Sequence, residues 1–129
     1  MKNKKGFTLI ELLVVIAIIG ILALMGLRLY LNQQDYAKNA IVKANTGTVQ
    51  TLIQAELADT DVNLEGAVDI AKAAGLHNPF NGVAMNTAGW FPESADVPGE
   101  VQITLSDGVF SIQGYGADGL LPDILTARK

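Results

Sequence analysis

The sequence predicts an α+β fold in which a long N-terminal helix packs, through its second half, on a small antiparallel sheet. Three observations lead there. The run from Phe7 to Leu27 is apolar except for a single charge, Glu11. Beyond it, Ala37, Ala40, Ile41, Ala44, Val49, Leu52, Ile53 and Leu57 recur at three- and four-residue spacings, and no proline lies between Met1 and Gly75. Late in the chain, the alternating segment Val101-Gln102-Ile103-Thr104-Leu105 is followed by Ser106-Asp107-Gly108 and then by Val109-Phe110-Ser111-Ile112, which together read as a hairpin.

The helix is predicted from Phe7 to about Ala58, a rod of roughly 75 Å at the usual rise per residue. Its first half, 7–27, is apolar all round, and about 20 such residues cover the roughly 30 Å hydrocarbon core of a bilayer. One membrane span is therefore expected. A cleaved secretory signal fits less well, because the run exceeds the usual apolar stretch and Ala23-Leu24-Met25 is a poor cleavage site. Lys2, Lys4 and Lys5 precede the run, which places the N-terminus on the cytoplasmic side and the body outside. Arg28 is read as a charge reaching out of the span at its outer edge. The second half, 28–58, carries one apolar stripe, with Gln33, Lys38, Lys43, Gln50, Gln54 and Asp59 between its members. Such a stripe needs a domain to cover it, and Ile41, Val49, Leu52 and Ile53 are expected to be buried against the hairpin face of Val101, Ile103, Leu105, Phe110 and Ile112.

After Ala58 the chain changes character. Asp59 to Asn63 reads as a helix end and polar turn, and Leu64 to Ala74 as a short helix closed by Gly75 and Pro79. Asn78-Pro79-Phe80-Asn81-Gly82 is a turn by composition. Val83–Met85 and Gly89–Phe91 are weak strand candidates, and Trp90-Phe91-Pro92 is an aromatic segment expected in the core. Leu120 to Lys129 shows no clear period, and no element is predicted there.

Composition excludes several chemistries. The chain has 13 acidic residues against 9 basic ones, a net charge of −4, which is unsuited to a broad nucleic-acid-binding surface. Without cysteine there is neither a disulfide staple nor a thiol nucleophile, and the C-terminal tail must be held by packing and hydrogen bonds. His77 is the one histidine, so Ser-His-Asp arrangements and histidine metal clusters have no support. Asp107, Asp118 and Asp123 do not have the spacing of a calcium loop and read as turn aspartates. No catalytic residue, metal or cofactor is predicted, and the chain is not expected to be an enzyme.

One feature remains unexplained on these grounds. A carboxylate at the centre of a bilayer costs about 2.5–3.5 kcal/mol even on lenient insertion scales, yet Glu11 sits inside the apolar run. The residues around it, Gly6-Phe7-Thr8-Leu9-Ile10-Glu11 after a lysine-rich leader and before Leu12-Leu13-Val14-Val15-Ile16-Ala17-Ile18-Ile19-Gly20-Ile21-Leu22, resemble the type IV prepilin signature over about the first quarter of the chain.

That resemblance implies a processing and assembly route. Residues 1–6 would be a leader, cut by prepilin peptidase between Gly6 and Phe7, with the new Phe7 amine then methylated. Residues 7–27 would cross the cytoplasmic membrane as a single pass and later enter a filament core. Residues 28–58 would be the amphipathic half of the helix, and 59–129 the connecting region, sheet and C-terminal tail. Thr8 and Glu11 would act in assembly, Glu11 by meeting the Phe7 amine of a neighbouring subunit. The implied partners are identical subunits in a helical filament, the peptidase, and the pilus assembly machinery of the inner membrane. Arg28 stands where the family commonly has proline, so the loosening of the helix from Gly20 that accompanies that proline is not implied here. The expected function is a major pilin of a cell-surface type IV pilus. The alternatives are a pseudopilin of a type II secretion or competence system and, from another class, a single-span membrane-anchored binding module that keeps its leader.

Overall fold

The computed structural model describes residues 6–129; Lys2, Lys4, Lys5 and the rest of the predicted leader before Gly6 lie outside the described residues. In chain order the elements are α1 (Leu9–Asp59), α2 (Leu64–Lys72), a short 3-10 turn (Ala88–Trp90), β1 (Val101–Ser106), β2 (Val109–Gly116) and β3 (Gly119–Arg128). The chain divides into two compact units, Met1–Gln34 and Asp35–Lys129.

In the first unit α1 is unbroken through Gly20 and Gly26, and every described residue up to Gln33 is exposed. Each helical glycine costs about 1 kcal/mol relative to alanine. The surrounding run of leucine and isoleucine and the lack of proline leave no competing conformation strong enough to break the helix.

In the second unit the sheet has the order β1-β2-β3 and is antiparallel throughout. The β1–β2 hairpin turns on Asp107 and Gly108, both at positive φ (52° and 78°), the two-residue turn whose twist matches that of the strands. On its inner face Val101, Ile103, Phe110 and Ile112 are buried, and they meet Val49, Ile53 and Leu57 of α1 and Ala67 and Ala71 of α2 in one core. Phe91 is buried in that core and Trp90 packs partly against it, as the aromatic segment was expected to do. Asn63 caps α2 by accepting the Gly66 N–H at 2.7 Å.

The phase of the α1 stripe differs from the expectation. Val49 and Ile53 are fully buried, but Ile41 and Leu52 are 47% and 37% exposed, and Leu105 near the hairpin tip is 38% exposed. The inward positions are Val42, Asn45, Thr46, Val49, Ile53 and Leu57. Two of these are polar, which hid the true phase; Asn45 donates to the His77 carbonyl at 3.2 Å and Thr46 to the Val42 carbonyl at 2.8 Å. The sheet can approach this face because Gly114 and Gly116 present no side chain to it. A Cβ on Gly114 would run into Val42 and Thr46, and one on Gly116 would come within 2.6 Å of Asn39 Oδ1.

Two strand candidates are corrected. Gly89–Phe91 belongs to the 3-10 turn and its exit, and of Val83–Met85 only Ala84 pairs, in a single bridge to His77. The tail that carried no predicted element is the longest strand, β3. Between Gln113↔Ile124 and Tyr115↔Leu120 the register slips, so Leu121, Pro122 and Asp123 stand against Gly114 alone. That bulge takes in Pro122, which has no N–H to donate to a ladder.

Polar residues of α1, expected to face solvent, fasten β3. Gln50 donates to the Thr126 carbonyl at 3.0 Å, and Gln54 both donates to the Arg128 carbonyl at 2.7 Å and accepts its N–H at 3.1 Å. Lys43 pairs with Asp123 at 3.0 Å, and Asn39 accepts the Ala117 N–H at 2.9 Å. Lys129 is tied too. Lys129 Nζ lies 2.9 Å from Asp61 Oδ1, and this hydrogen bond, then the lysine charge, holds the Asp61 carboxyl below its usual 3.8.

Two predictions follow from this packing. In a fragment covering residues 35–129, Ile53→Ala should cost roughly 2–5 kcal/mol in urea unfolding, while Leu52→Ala should cost about 1 kcal/mol or less. Because Asp61 is depressed in the folded state, its contribution is complete above the unfolded value and is lost as pH falls through the folded one. Amide exchange at the end of β3, compared at matched intrinsic rates, should therefore lose protection as pH drops below about 4, an effect that added salt also weakens.

Candidate functional site

The site residues precede the helix or lie in its first turn. Starting a helix leaves four N–H groups without intrahelical partners. Thr8, just before α1, satisfies one of those donors, its Oγ1 accepting the Glu11 N–H at 3.2 Å, while its carbonyl accepts the first regular helical bond, from the Leu12 N–H at 3.1 Å. Thr8 is thus the N-cap and Glu11 the third helical residue, the spacing of a capping box.

This placement changes the electrostatics of Glu11. A carboxylate in the first turn faces the positive end of the helix dipole, a favourable interaction of about 0.3–1 kcal/mol. Glu11 therefore lies at the start of the apolar helix, not in its middle, and the backbone itself favours its charge. The charge still enters an apolar setting. The most apolar 18-residue stretch of α1 is long and apolar enough to cross a membrane, and none of it is buried.

Gly6 and Phe7 lie outside the helix, Phe7 is 86% exposed, and a Cβ placed on Gly6 would meet nothing within 4 Å. The peptide bond between them is uncovered and one residue clear of the cap. A protease needs an accessible, non-helical backbone, and this bond provides one.

Known proteins share this segment. The prokaryotic N-terminal methylation motif matches residues 1–27. The fimbrial protein EcpB of Eikenella corrodens is 47% identical over 58 residues, 45% of this chain and 36% of that protein. This N-terminal segment is similar to that of proteins named as type IV fimbrial proteins. The type IV major fimbrial protein FimA of Dichelobacter nodosus is 45% identical over 56 residues, 43% of this chain and 36% of the relative. A fimbrial protein of Pseudomonas aeruginosa is 41% identical over 73 residues, 57% of this chain and 44% of the relative. The chain thus spans less than half the length of these curated relatives. No solved structure matches it. The α+β architecture, a long N-terminal helix with a three-stranded antiparallel sheet, is pilin-like.

The pilin-type segment gathers all four residues singled out in the sequence, Gly6, Phe7, Thr8 and Glu11, within one turn of the helix start. What the sequence reading passed over was the reason for Thr8. The signal was present, since Thr8-x-x-Glu11 before an apolar run is the written form of a capping box. The body offers no comparable chemistry: among the described residues no three potential metal-ligating side chains cluster. A cleft of about 360 Å³ bordered by Thr46, Gly114 and Leu121 is lined by one ion pair, Lys43 with Asp123, which already fastens β3.

The cap can be tested in micelles. Thr8→Ala should speed hydrogen exchange at the Glu11 amide by about fivefold, as expected for losing roughly 1 kcal/mol of capping, whereas Thr8→Ser should keep the protection.

Proposed function

We propose that the chain is the structural subunit, a major pilin, of a type IV pilus. The observation that supports this most directly is the methylation motif over residues 1–27 leading into a helix that is apolar and exposed on every side. On this reading residues 1–6 are a leader removed by prepilin peptidase, and Phe7 becomes the methylated N-terminus. Residues 7–27 anchor the subunit in the cytoplasmic membrane and then pack with copies of themselves in the filament. Residues 28–58 and 59–129 form the body outside. The role is structural, and the partners are identical subunits together with the inner-membrane assembly machinery.

The chemistry of assembly follows from charge and cover. Cleavage creates an amine at Phe7, one residue before the cap, where the positive helix end disfavours it. A carboxylate relieves that cost, and Glu11 of a neighbouring subunit supplies one while being relieved of its own cost in lipid. Lateral packing then covers the apolar helix, and Gly20 and Gly26 permit close approach between backbones.

Mass spectrometry of the mature N-terminus tests the processing step. The chain should begin at N-methylated Phe7, and Gly6→Leu should leave the leader attached; a mature protein starting at Met1 or beyond Ala23 would overturn the reading. The assembly step is tested by Glu11→Ala expressed without the wild-type gene. The variant should be inserted and cleaved normally, but sheared surface filaments should fall at least about tenfold, the loss expected from forfeiting a partnered charge of 1.4 kcal/mol or more. Glu11→Asp, which keeps the charge with a shorter reach, should fall between. Electron microscopy separates this reading from a pseudopilin, which would leave no surface pili.

A further inference from the structure

Asn81-Gly82 is the single Asn-Gly pair in the chain, and it is exposed. In an unrestrained chain this dipeptide deamidates faster than other asparagine pairs, because glycine leaves the backbone nitrogen that follows unhindered. The Gly82 nitrogen loses its proton and bonds to Asn81 Cγ, the Cγ–Nδ2 bond breaks, and ammonia leaves with the proton. Water then opens the cyclic imide at either carbonyl, giving aspartate or, with the backbone rerouted through the side chain, isoaspartate. No oxidant or reductant is needed.

Both reacting groups are engaged in the fold. The Gly82 N–H donates to the Asn78 carbonyl at 2.8 Å, which opposes loss of its proton and fixes the nitrogen. Asn81 Oδ1 accepts the Val83 N–H at 2.9 Å, which holds the side chain toward Val83. Gly82 itself sits at φ +71°, closing the turn in a conformation that side-chain-bearing residues rarely adopt. Behind them Asn78 is fully buried. Its Nδ2 donates to the Pro98 carbonyl at 2.9 Å, its Oδ1 accepts the Phe80 N–H at 2.8 Å, and its N–H reaches the Val83 carbonyl at 2.9 Å. Gly99, at φ +95°, leaves the space that the Asn78 amide fills.

We propose that Asn81-Gly82 is a conformationally gated deamidation site, held unreactive by the Asn78-anchored turn and reactive only when that turn opens. The gate is one-way. Isoaspartate adds a methylene to the backbone inside a turn closed by short hydrogen bonds, so the closed geometry cannot re-form unchanged. Asn78, although also an asparagine in the same turn, is spared, because Pro79 after it has no N–H to supply the nucleophile.

The test compares the full-length protein in detergent micelles with a synthetic peptide of residues 75–86, incubated together at mildly alkaline pH. Peptide mapping by mass spectrometry follows conversion at Asn81 in both. The folded chain should convert at least about tenfold more slowly than the peptide, and its rate should climb toward the peptide's in increasing urea as the turn opens. Asn78→Ala, in preparations whose circular dichroism matches the wild type, should convert at a rate near the peptide's. Equal rates in folded chain and peptide, a rate indifferent to urea, or a folded Asn78→Ala chain as slow as wild type would each overturn the proposal. The comparison of wild type with peptide stands by itself if the variant does not fold.

Discussion

One helix has to satisfy two kinds of surroundings, and most of the structure follows from that constraint. Up to Gln33 every described residue is exposed, and the run from Leu9 to Leu31 is overwhelmingly apolar. Such a surface is stable only when lipid or other apolar chains replace water around it. From Val42 onward the same helix shows a core on one face only, and the sheet and α2 exist to cover that face. Length explains why a single element does both. Apolar composition without proline keeps the chain helical through the first half, and nothing before Asp59 breaks it.

The cover over the second half depends as much on missing side chains as on apolar ones. Gly114 and Gly116 on β2 let α1 lie against the sheet where Val42, Thr46 and Asn39 would otherwise collide with a Cβ. Close approach then brings Asn39, Lys43, Gln50 and Gln54 within hydrogen-bonding or ion-pairing reach of β3 and the turn before it. Those contacts matter because β3 is an edge strand, whose unpaired backbone groups would otherwise need water or a foreign strand. With no cysteine to staple the tail, two glutamines four residues apart on one helix face perform the fastening.

These contacts also mark the limit of what the sequence made legible. Long uniform signals were readable: α1 stands within two residues of its expected bounds, the β1–β2 hairpin starts and turns where expected although β2 runs four residues past Ile112 to Gly116, and α2 starts at its expected Leu64 but ends two residues short of the expected Ala74. The α1 phase was partly misread because Asn45 and Thr46 are buried with internal hydrogen bonds, and a hydrophobicity pattern assigns such residues to solvent. β3 was invisible because its bulge, three residues against one, interrupts the alternation of buried and exposed positions. Leu121 and Ala127 are buried, but the residues between them do not alternate, and Pro122 argues against a strand. Its partners, Gln50 and Gln54, are more than 70 positions away, a separation that no local pattern reports.

The N-terminal segment was legible for a different reason: its chemistry is local. Gly6, Phe7, Thr8 and Glu11 fall within six positions, so spacing alone carries the geometry, and the structure adds the cap that connects two of them. That cap sets Glu11 where the helix end favours its charge. In a lone subunit the helix end favours the carboxylate, which offsets part of its cost in an apolar medium without requiring a partner. Proteolysis between Gly6 and Phe7 would place an amine beside the same helix end, and the field that favours the carboxylate disfavours the amine. A subunit so processed has a favoured negative charge and a disfavoured positive one within one turn. On the proposed reading, pairing each with its opposite on a neighbour would relieve the amine at little further cost to the carboxylate, and the cut itself would supply the electrostatic drive to associate.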